Sequence, residues 1–299
     1  MIIFYNLLQL LCIAILWPVL LVFVLVVPKY RGRIARRLFP LGLAGVDHLP
    51  AGGRIWVHAL SVGEVRSGAR MIGVLREGFP NSSIILSLST ASGEKLARAE
   101  LSGLVDLIIP FPLDFYPSVR LWLGRIRPDL FIQVETDFWP NFLYLLARKK
   151  IPSLLVNGRI SAGSLSRYSL FKGEIRRLLA AFKKICVANE ADADGFLSLG
   201  VKAEAVRVIG NLKYDAPAPP LASDGPSARL RARHPAESIF VIASTHPGEE
   251  EVVLEACQRL GKEGISFYPV IAPRDPGRGG EVAAIASAAG FSAGLRSHD

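Results

Sequence analysis

The sequence predicts an α/β protein with a parallel sheet, arranged as two successive units behind an apolar N-terminal helix. Three observations predict it: β-rich runs alternate with helical stretches from Arg54 onward, a proline-rich segment at Tyr214–Pro226 interrupts the alternation, and no charged side chain occurs before Lys29. Alternation of this kind gives a parallel sheet covered by helices. With 299 residues, 51% of them hydrophobic, the chain can bury two cores of ordinary size.

The N-terminal run, Met1–Pro28, exceeds the roughly 20 apolar residues that a membrane crossing needs. Lys29, Arg31, Arg33, Arg36 and Arg37 follow at once, and the positive-inside rule then leaves everything downstream in the cytoplasm. A membrane anchor with its basic flank is therefore expected over residues 1–37. A cleaved secretory signal fits poorly, because the start has no basic n-region and no small-residue cleavage site precedes the basic cluster. Asn6, Gln9 and Pro18 also suit a helix lying in the interface. The net charge of +9 and pI near 9.7 favour an anionic partner: nucleic acid, a membrane surface or a phosphorylated substrate. Removing the five basic residues of the cluster leaves +4, so much of the excess is membrane-proximal, where anionic headgroups attract it. Cys12, Cys186 and Cys257 form no CxxC pair, which argues against both a disulfide framework and a zinc site.

Strands are expected at Arg54–Ala59, Ser83–Ser89, Leu104–Ile109, Leu130–Glu135, Ser153–Asn157, Lys184–Ala188 and Val206–Gly210, with helices between them. The clearest helices are Val65–Phe79 and Phe138–Lys150; the second ends in Arg148, Lys149 and Lys150, which complement the negative end of the helix dipole. These elements make a first domain, 38–213. Pro217, Pro219, Pro220 and Pro226 mark 214–226 as a linker. The second domain, 227–299, offers strand Ser238–Ala243, helix Glu249–Lys262, strand Ile265–Ala272 and a helical run Glu281–Ala289. A doubly wound nucleotide-binding domain has about five or six strands, so this one reads as incomplete, with an open strand edge and exposed apolar surface.

Reactive side chains fall at strand carboxyl ends, where open α/β sheets bind ligands. His58 to Glu64 runs from a strand through a glycine turn into a helix. Gly63 permits a close backbone approach, and Glu64 beside the positive dipole end is expected to stay ionised. An ionised carboxylate in a cleft serves as a general base toward a hydroxyl; plain complementation of the dipole fits the same position. Gln133 to Asn141 ends an apolar strand in Glu135 and Asp137. A carboxylate completing such a strand needs a partner or a function, whereas Asp137 fits either a substrate contact or an ordinary N-cap, with Trp139 filling core. Gly210 to Asp215 puts Lys213 at the end of the first domain's last strand, and clefts between domains are favoured ligand sites; a solvated surface charge is the other reading. Ser244 to Glu249 resembles a phosphate-facing turn at a helix N-terminus, without a Walker A lysine or GxGxxG. Ser244 and Thr245 also fit plain helix caps, and His246 fits a phosphate donor or a cap. Pro273 and Arg274 end the next strand, where an arginine can clamp a phosphate or make a surface salt bridge.

In their order along the chain these pieces resemble the bacterial transferases that attach 3-deoxy-D-manno-oct-2-ulosonic acid (Kdo) to the lipid A precursor of lipopolysaccharide. The resemblance runs from the apolar start to the last residue. It rests on His58–Glu64, on Ser89-Thr90 with Gly93, on Glu135–Asn141, Asn157–Ser161, Asn189-Glu190, Gly210–Asp215 and Ser244–Glu249, and on Pro273-Arg274. It implies a GT-B fold, with an N-terminal acceptor domain and a C-terminal nucleotide-sugar domain. The implied activity is inverting transfer of Kdo from CMP-Kdo to lipid IVA, with Glu64 as the base and Glu135 and Lys213 as transition-state stabilisers. A carboxylate suits the positive charge of an oxocarbenium-like sugar, and a cation suits the donor carboxylate and departing phosphate. The implied substrate-binding residues are Ser61, Gly63, Arg159, Ser244, Thr245, His246, Glu249, Pro273 and Arg274. No metal or other cofactor is implied, because the donor leaves as a nucleoside monophosphate.

The partners so implied are CMP-Kdo, the phosphorylated lipid A precursor and anionic lipids at the cytoplasmic face of the bacterial inner membrane; nucleic acid is not among them. Asp137 stands where the family usually has glutamate, Gly158 where it often has alanine and Pro247 where it often has glutamate. The residues end before the family's glycine-rich, glutamate-containing donor segment. The expectation is therefore a C-terminally shortened transferase or, as the alternative, a noncatalytic lipid-A-binding fragment that keeps the anchor and acceptor surface. A two-lobed periplasmic binding protein is a third reading, and it requires cleavage near the basic cluster.

Overall fold

The apolar runs of the first unit pair into one seven-stranded sheet, all of whose strands are parallel. The computed structural model describes residues 2–26, 34–40, 43–49, 52–215 and 225–295. By Cα packing the chain divides into two units, Met1–Pro217 and Ala218–Asp299. Elements of the first unit are α1 (Ile2–Val26), β1 (Arg54–Ala59), α2 (Val62–Gly78), β2 (Ser83–Leu88), α3 (Ala91–Glu100), β3 (Leu107–Pro110), α4 (Tyr116–Ile126), β4 (Leu130–Val134), α5 (Pro140–Arg148), β5 (Ser153–Gly158), α6 (Ala162–Ser169), α7 (Lys172–Leu179), β6 (Lys184–Val187), α8 (Glu190–Ser198) and β7 (Val206–Val208). Their order across the sheet is β3-β2-β1-β4-β5-β6-β7. The chain builds outward from β1 in one direction, then returns to β1's other side with β4 and builds the opposite way. Strand order thus reverses between β1 and β4, and this switch point is where doubly wound sheets hold ligands.

Both faces of the sheet are covered, which is why β1, β2 and β4 read as near-continuous apolar runs rather than as alternating ones. One face carries the aromatic core. Trp56 of β1 meets Phe131 and Phe142 edge-on at centroid distances of 5.8 and 5.2 Å, and its indole nitrogen donates to Ser87 Oγ at 2.8 Å. Helices α4, α5, α7 and α8 supply the rest of that core, through Trp122, Leu146, Leu179 and Phe196 among others. The opposite face packs Val65 and Ile72 of α2, Ala97 of α3 and Leu212 against Val57, Leu86 and Val134.

Two expected boundaries move, each for a local reason. The strand expected at Leu104–Ile109 begins only at Leu107, because residues 101–105 close a turn through Leu104 N–H and Val105 N–H bonds to the Leu101 carbonyl. Asp106 then accepts from Ile84 N–H at 2.7 Å and is ion-paired with Arg76. The helix expected at Phe138–Lys150 starts at Pro140, and Asp137 does not cap it. That role falls to Asp114, from the loop after β3: its carboxylate accepts from Asn141 N–H at 3.0 Å and Phe142 N–H at 2.9 Å.

Asp114 and Asn141 also explain the polar residues of α1. Tyr5 Oη donates to Asp114 Oδ2 at 3.1 Å, Gln9 Nε2 to the Asp114 carbonyl at 2.9 Å and Asn6 Nδ2 to Asn141 Oδ1 at 2.8 Å. These bonds dock the start of α1 onto the globular unit. The helix carries no charged residue, and Ile3, Phe4, Leu7, Leu11, Ile15 and Trp17 are exposed. Its side chains are described only as far as Pro18, and among the described residues no helix is long and apolar enough to cross a membrane. The expected span thus runs partly outside the described residues, as do Lys29, Arg31 and Arg33 of its basic flank. Arg36 and Arg37 engage the protein itself: Arg36 lies 3.6 Å from Glu94, and Arg37 Nε donates to the Phe111 carbonyl at 2.8 Å.

The second unit holds α9 (Pro226–Arg233), β8 (Ser238–Thr245), α10 (Glu249–Lys262), β9 (Phe267–Pro273) and α11 (Gly279–Ala288). Most of the expected linker, 216–224, lies outside the described residues. Its strands β8 and β9 pair parallel as a two-stranded sheet. Phe240 is 47% and Val241 61% exposed, the apolar surface expected of so small a sheet among the described residues.

Replacing Asp114 by alanine leaves two buried N–H groups at the start of α5 without an acceptor. The expected cost is about 3 kcal/mol, read as a lower urea midpoint in far-ultraviolet circular dichroism. Tyr5→Phe removes one peripheral bond and should cost about 1 kcal/mol or less.

Candidate active site at the carboxyl ends of the strands

Motif residues of the first unit line the carboxyl rim of the sheet, because each is the cap or turn that ends one strand and starts the next helix. Thr90 after β2 accepts from Gly93 N–H at 3.1 Å, Ser161 after β5 from Ser164 N–H at 3.2 Å and Asn189 after β6 from Asp192 N–H at 2.9 Å. Asn211 after β7 accepts from Lys213 N–H at 3.0 Å. Local capping chemistry thus fixes the rim. Gly158 belongs to it as well: a Cβ there would sit 3.0 Å from Leu155 Cδ2 and 3.2 Å from Phe196 Cζ, so this chain's packing favours glycine.

At the switch point, β1 leads into Glu64 and β4 into Glu135 and Asp137. Glu64 is buried; its carboxylate accepts from Leu60 N–H and from Ser61 Oγ at 3.3 Å. Burial, with Asp137 and Glu135 close enough to repel its charge, pushes the Glu64 carboxyl up to about 7. The sequence expectation that Glu64 stays ionised beside the helix dipole is therefore corrected: desolvation outweighs the Leu60 N–H bond. Asp137 is also raised, by burial first and then by Glu135. Three carboxyl groups converge here: Asp137 and Glu135 oppose the ionisation of Glu64, and Glu135 that of Asp137.

Glu135 and Asn157 both adopt left-handed backbone conformations, with φ of 62° and 57°. Asn157 lies where the β5–β6 register shifts, and its Nδ2 donates to Glu135 Oε1 at 3.1 Å. Arg159 N–H donates to Thr136 Oγ1 at 2.6 Å, and Gln133 Nε2 donates to the Asp137 carbonyl. These bonds tie the segment Glu135–Asp137 to β4 and to the β5–α6 loop. Strained backbone held this way is characteristic of functional sites. Among the described residues, His58 Nε2, Gln133 Oε1, Trp139 Nε1 and Asn157 Oδ1 are buried without a hydrogen-bond partner, and all four belong to this rim. Burial first, with Arg37 adding, holds His58 down to about 3. It is neutral, stacked on Phe111 at 3.8 Å, with Nδ1 3.1 Å from the Ser87 carbonyl.

The other candidate residues of the first unit lie around this centre. Ser61 is half-buried beside Glu64, Gly63 is exposed with no atom nearer than Ser61 Oγ to a would-be Cβ, and Arg159 is exposed. Lys213 is exposed on the turn Leu212–Tyr214, whose Leu212 packs with Val65 of α2. The turn that carries Lys213 thus packs against α2, whose first turn holds Glu64.

In the second unit, Ser244 has φ 63° and Gly248, not a serine or threonine, is the N-cap of α10. Thr245 is buried and donates through Oγ1 to Glu250 at 2.8 Å, while Glu249 accepts from His246 N–H at 2.7 Å. Pro273 is half-buried; Arg274 N–H donates to the Thr245 carbonyl at 3.0 Å. The Arg274 side chain is exposed and makes no ion pair among the described residues, so the surface salt-bridge reading is not what is found. The paired arginine is Arg278, 2.9 Å from buried Glu250 and 2.9 Å from Glu281, and its hydrogen bonds hold the Glu250 carboxyl low. Sequence reasoning missed Asp114, Asn157 as partner of Glu135, and the Glu250–Arg278 pair, all defined by contacts between distant segments.

Solved structures share the α/β fold of this chain. The UDP-GlcNAc 2-epimerase of Neisseria meningitidis, solved with UDP-GlcNAc, superposes with a TM-score of 0.56 at 17% identity, over 79% of this chain and 69% of that one. The S. aureus MnaA–UDP co-structure gives 0.53 at 16% identity, over 81% and 67%. At such identities the likeness is one of fold. The family model for 3-deoxy-D-manno-octulosonic-acid transferase (kdotransferase) matches residues 32–216, and the chain belongs to that family. It is 29% identical to the 3-deoxy-D-manno-octulosonic acid transferase of Haemophilus influenzae over 286 residues, covering 92% of this chain and 64% of the relative. With the enzyme of that name from Chlamydia pneumoniae it shares 30% over 266 residues, 88% of this chain and 60% of the relative. The chain thus spans less than two thirds of the length of these relatives.

A raised carboxyl pKa is a folding liability with a defined pH window. Glu64 titrates near 7 in the fold against an ordinary 4.5, so its stabilising contribution is complete below about 4.5 and is lost as pH rises through 7. Glu64→Gln should flatten this dependence and exceed the wild type in stability at about pH 8 by roughly 1–3 kcal/mol, in urea titrations across pH. A pure dipole-complementing carboxylate predicts the reverse, a variant less stable above pH 5.

Proposed function

We propose that this chain transfers Kdo from CMP-Kdo to the phosphorylated lipid A precursor, lipid IVA, with inversion at the anomeric carbon. The observation that carries the reading is Glu64: a carboxyl group poised near neutrality beside two others, at the switch point of a Kdo-transferase-family sheet. In its ionised form Glu64 takes the proton from an acceptor sugar hydroxyl. The oxygen attacks the anomeric carbon of Kdo, the bond from that carbon to the phosphate oxygen breaks, and CMP departs with the bonding electrons. A base with pKa near the working pH suits this role, because it is ionised often enough to act and basic enough to accept the proton. Glu135, held by Asn157, stabilises positive charge developing on the sugar ring, and Lys213 the negative charge on the Kdo carboxylate and leaving phosphate. Ser61, Gly63 and Arg159 contact the acceptor. Ser244, Thr245, His246, Glu249, Pro273 and Arg274 hold the donor, the Ser244–Glu249 turn offering N–H groups at the start of α10.

The same reading makes α1 a membrane anchor, with the protein at the cytoplasmic face of the inner membrane. Its exposed apolar side chains and lack of charge support this, and the basic residues that follow suit anionic headgroups.

Two measurements test these statements. Glu64→Gln should lower Kdo transfer from CMP-Kdo by roughly 100-fold or more with acceptor binding little changed; near-normal turnover removes Glu64 from the mechanism. Absence of transfer by the unaltered chain, with lipid IVA still bound, would favour the noncatalytic fragment instead. Deleting Met1–Pro28 should weaken attachment to membranes without unfolding the sheet, whose first strand begins at Arg54. Complete sedimentation of the deleted form with membranes in high salt would assign the anchor to other apolar surface.

A further inference from the structure

The corner between α6 and α7 exposes two consecutive large apolar side chains, Leu170 at 77% and Phe171 at 67%. Helix α6 has no fully buried residue; Leu165 and Tyr168 pack against the core from it, and Leu170 and Phe171 do not share that packing. Fully burying either side chain is worth about 2 kcal/mol, and a solvated helix corner has no need of them. Exposed cations flank the pair along the chain: Arg167 precedes it, and Lys172, Arg176 and Arg177 come after it, Arg177 being the one bonded to an acid among the described residues, Glu174 at 2.8 Å.

The position of the corner is as informative as its composition. Tyr168, two residues before Leu170, packs on Phe138 at 5.5 Å, and Phe138 directly follows Asp137. Ser161 opens α6 immediately after β5. The corner therefore hangs from the same rim that carries Glu64 and Glu135. Helix α1 is docked on that rim too, through Asn141 at the start of α5, and α5 packs against both α1 and α7.

We propose that Leu170 and Phe171 form a second membrane contact, inserting into the headgroup region of an anionic bilayer while Arg167 and Lys172 meet lipid phosphates. Two exposed apolar side chains flanked in sequence by exposed cations suit an interfacial insertion. They are too small a patch for a specific protein interface, which needs about 800 Å² per partner. The proposal rests on the reading that the acceptor is a lipid, since a second contact beside the site would seat the rim against the surface presenting it.

The test uses the whole chain with Cys12 and Cys186 replaced by serine and Phe171→Cys labelled with an environment-sensitive nitrobenzoxadiazole group. Phosphatidylethanolamine–phosphatidylglycerol vesicles should blue-shift and brighten the probe, less so in high salt. The same label at Glu77→Cys, near the far end of α2, should not shift. An unshifted Phe171 probe, whether or not the protein sediments with vesicles, overturns the proposal, as does a shift that appears with protein concentration alone. Kdo transfer is assayed separately in detergent. An active enzyme with an unshifted probe sinks only this inference, whereas a shifted probe without transfer supports it and counts against the catalytic reading.

Discussion

Parallel pairing of β1 with β4, from Ile55 against Leu130 to His58 against Gln133, is the constraint on which the rest of the first unit depends. It reverses the strand order, so the connections leaving β1 and β4 diverge to opposite faces and leave a crevice between them. Glu64 follows one of these strands, Glu135 and Asp137 the other. Their mutual repulsion is possible only because this pairing brings together segments far apart in the chain, and it acts on Glu64 in the same direction as burial.

The site is built at some expense to stability. Two non-glycine residues take left-handed backbone angles there, four buried polar atoms have no protein partner among the described residues, and a carboxyl group is desolvated. Sites that must bind and react commonly carry such features, which the surrounding structure over-determines. Here the surroundings are the aromatic core beneath Trp56 and the Asp114 cap on α5. The latter also anchors Tyr5 and Gln9, so the helix proposed to meet the membrane and the loop bearing Glu135 and Asp137 converge on the same start of α5.

The second unit shows a similar device on a smaller scale. Thr245 and Arg278 both bond to buried Glu250, fixing the turn after β8 to the turn after β9. A buried carboxylate kept ionised by a paired arginine is costly if either partner is removed, which makes the pair a rigid brace behind Ser244 and Arg274. Those two remain exposed and available.

Much of this was legible in the sequence, because secondary structure and strand-end turns answer to local rules. Runs such as Ser-Ile-Ile-Leu-Ser-Leu at Ser83–Leu88 announce buried parallel strands, and Thr90, Ser161, Asn189 and Asn211 cap the next helix or turn with their own side chains. The order of those motifs indicated the family, and two of the candidates, Glu64 and Glu135, follow the paired strands β1 and β4. The sequence could not decide the ionisation of Glu64, because local reasoning sees the helix dipole and not the desolvation or the Asp137 and Glu135 charges. It offered Asp137 as a cap and missed Asp114, and it offered Arg274 for a salt bridge and missed Arg278. Each of these turns on which distant segment lies alongside, and only the folded sheet, by bringing those segments within hydrogen-bonding distance and excluding water, settles it.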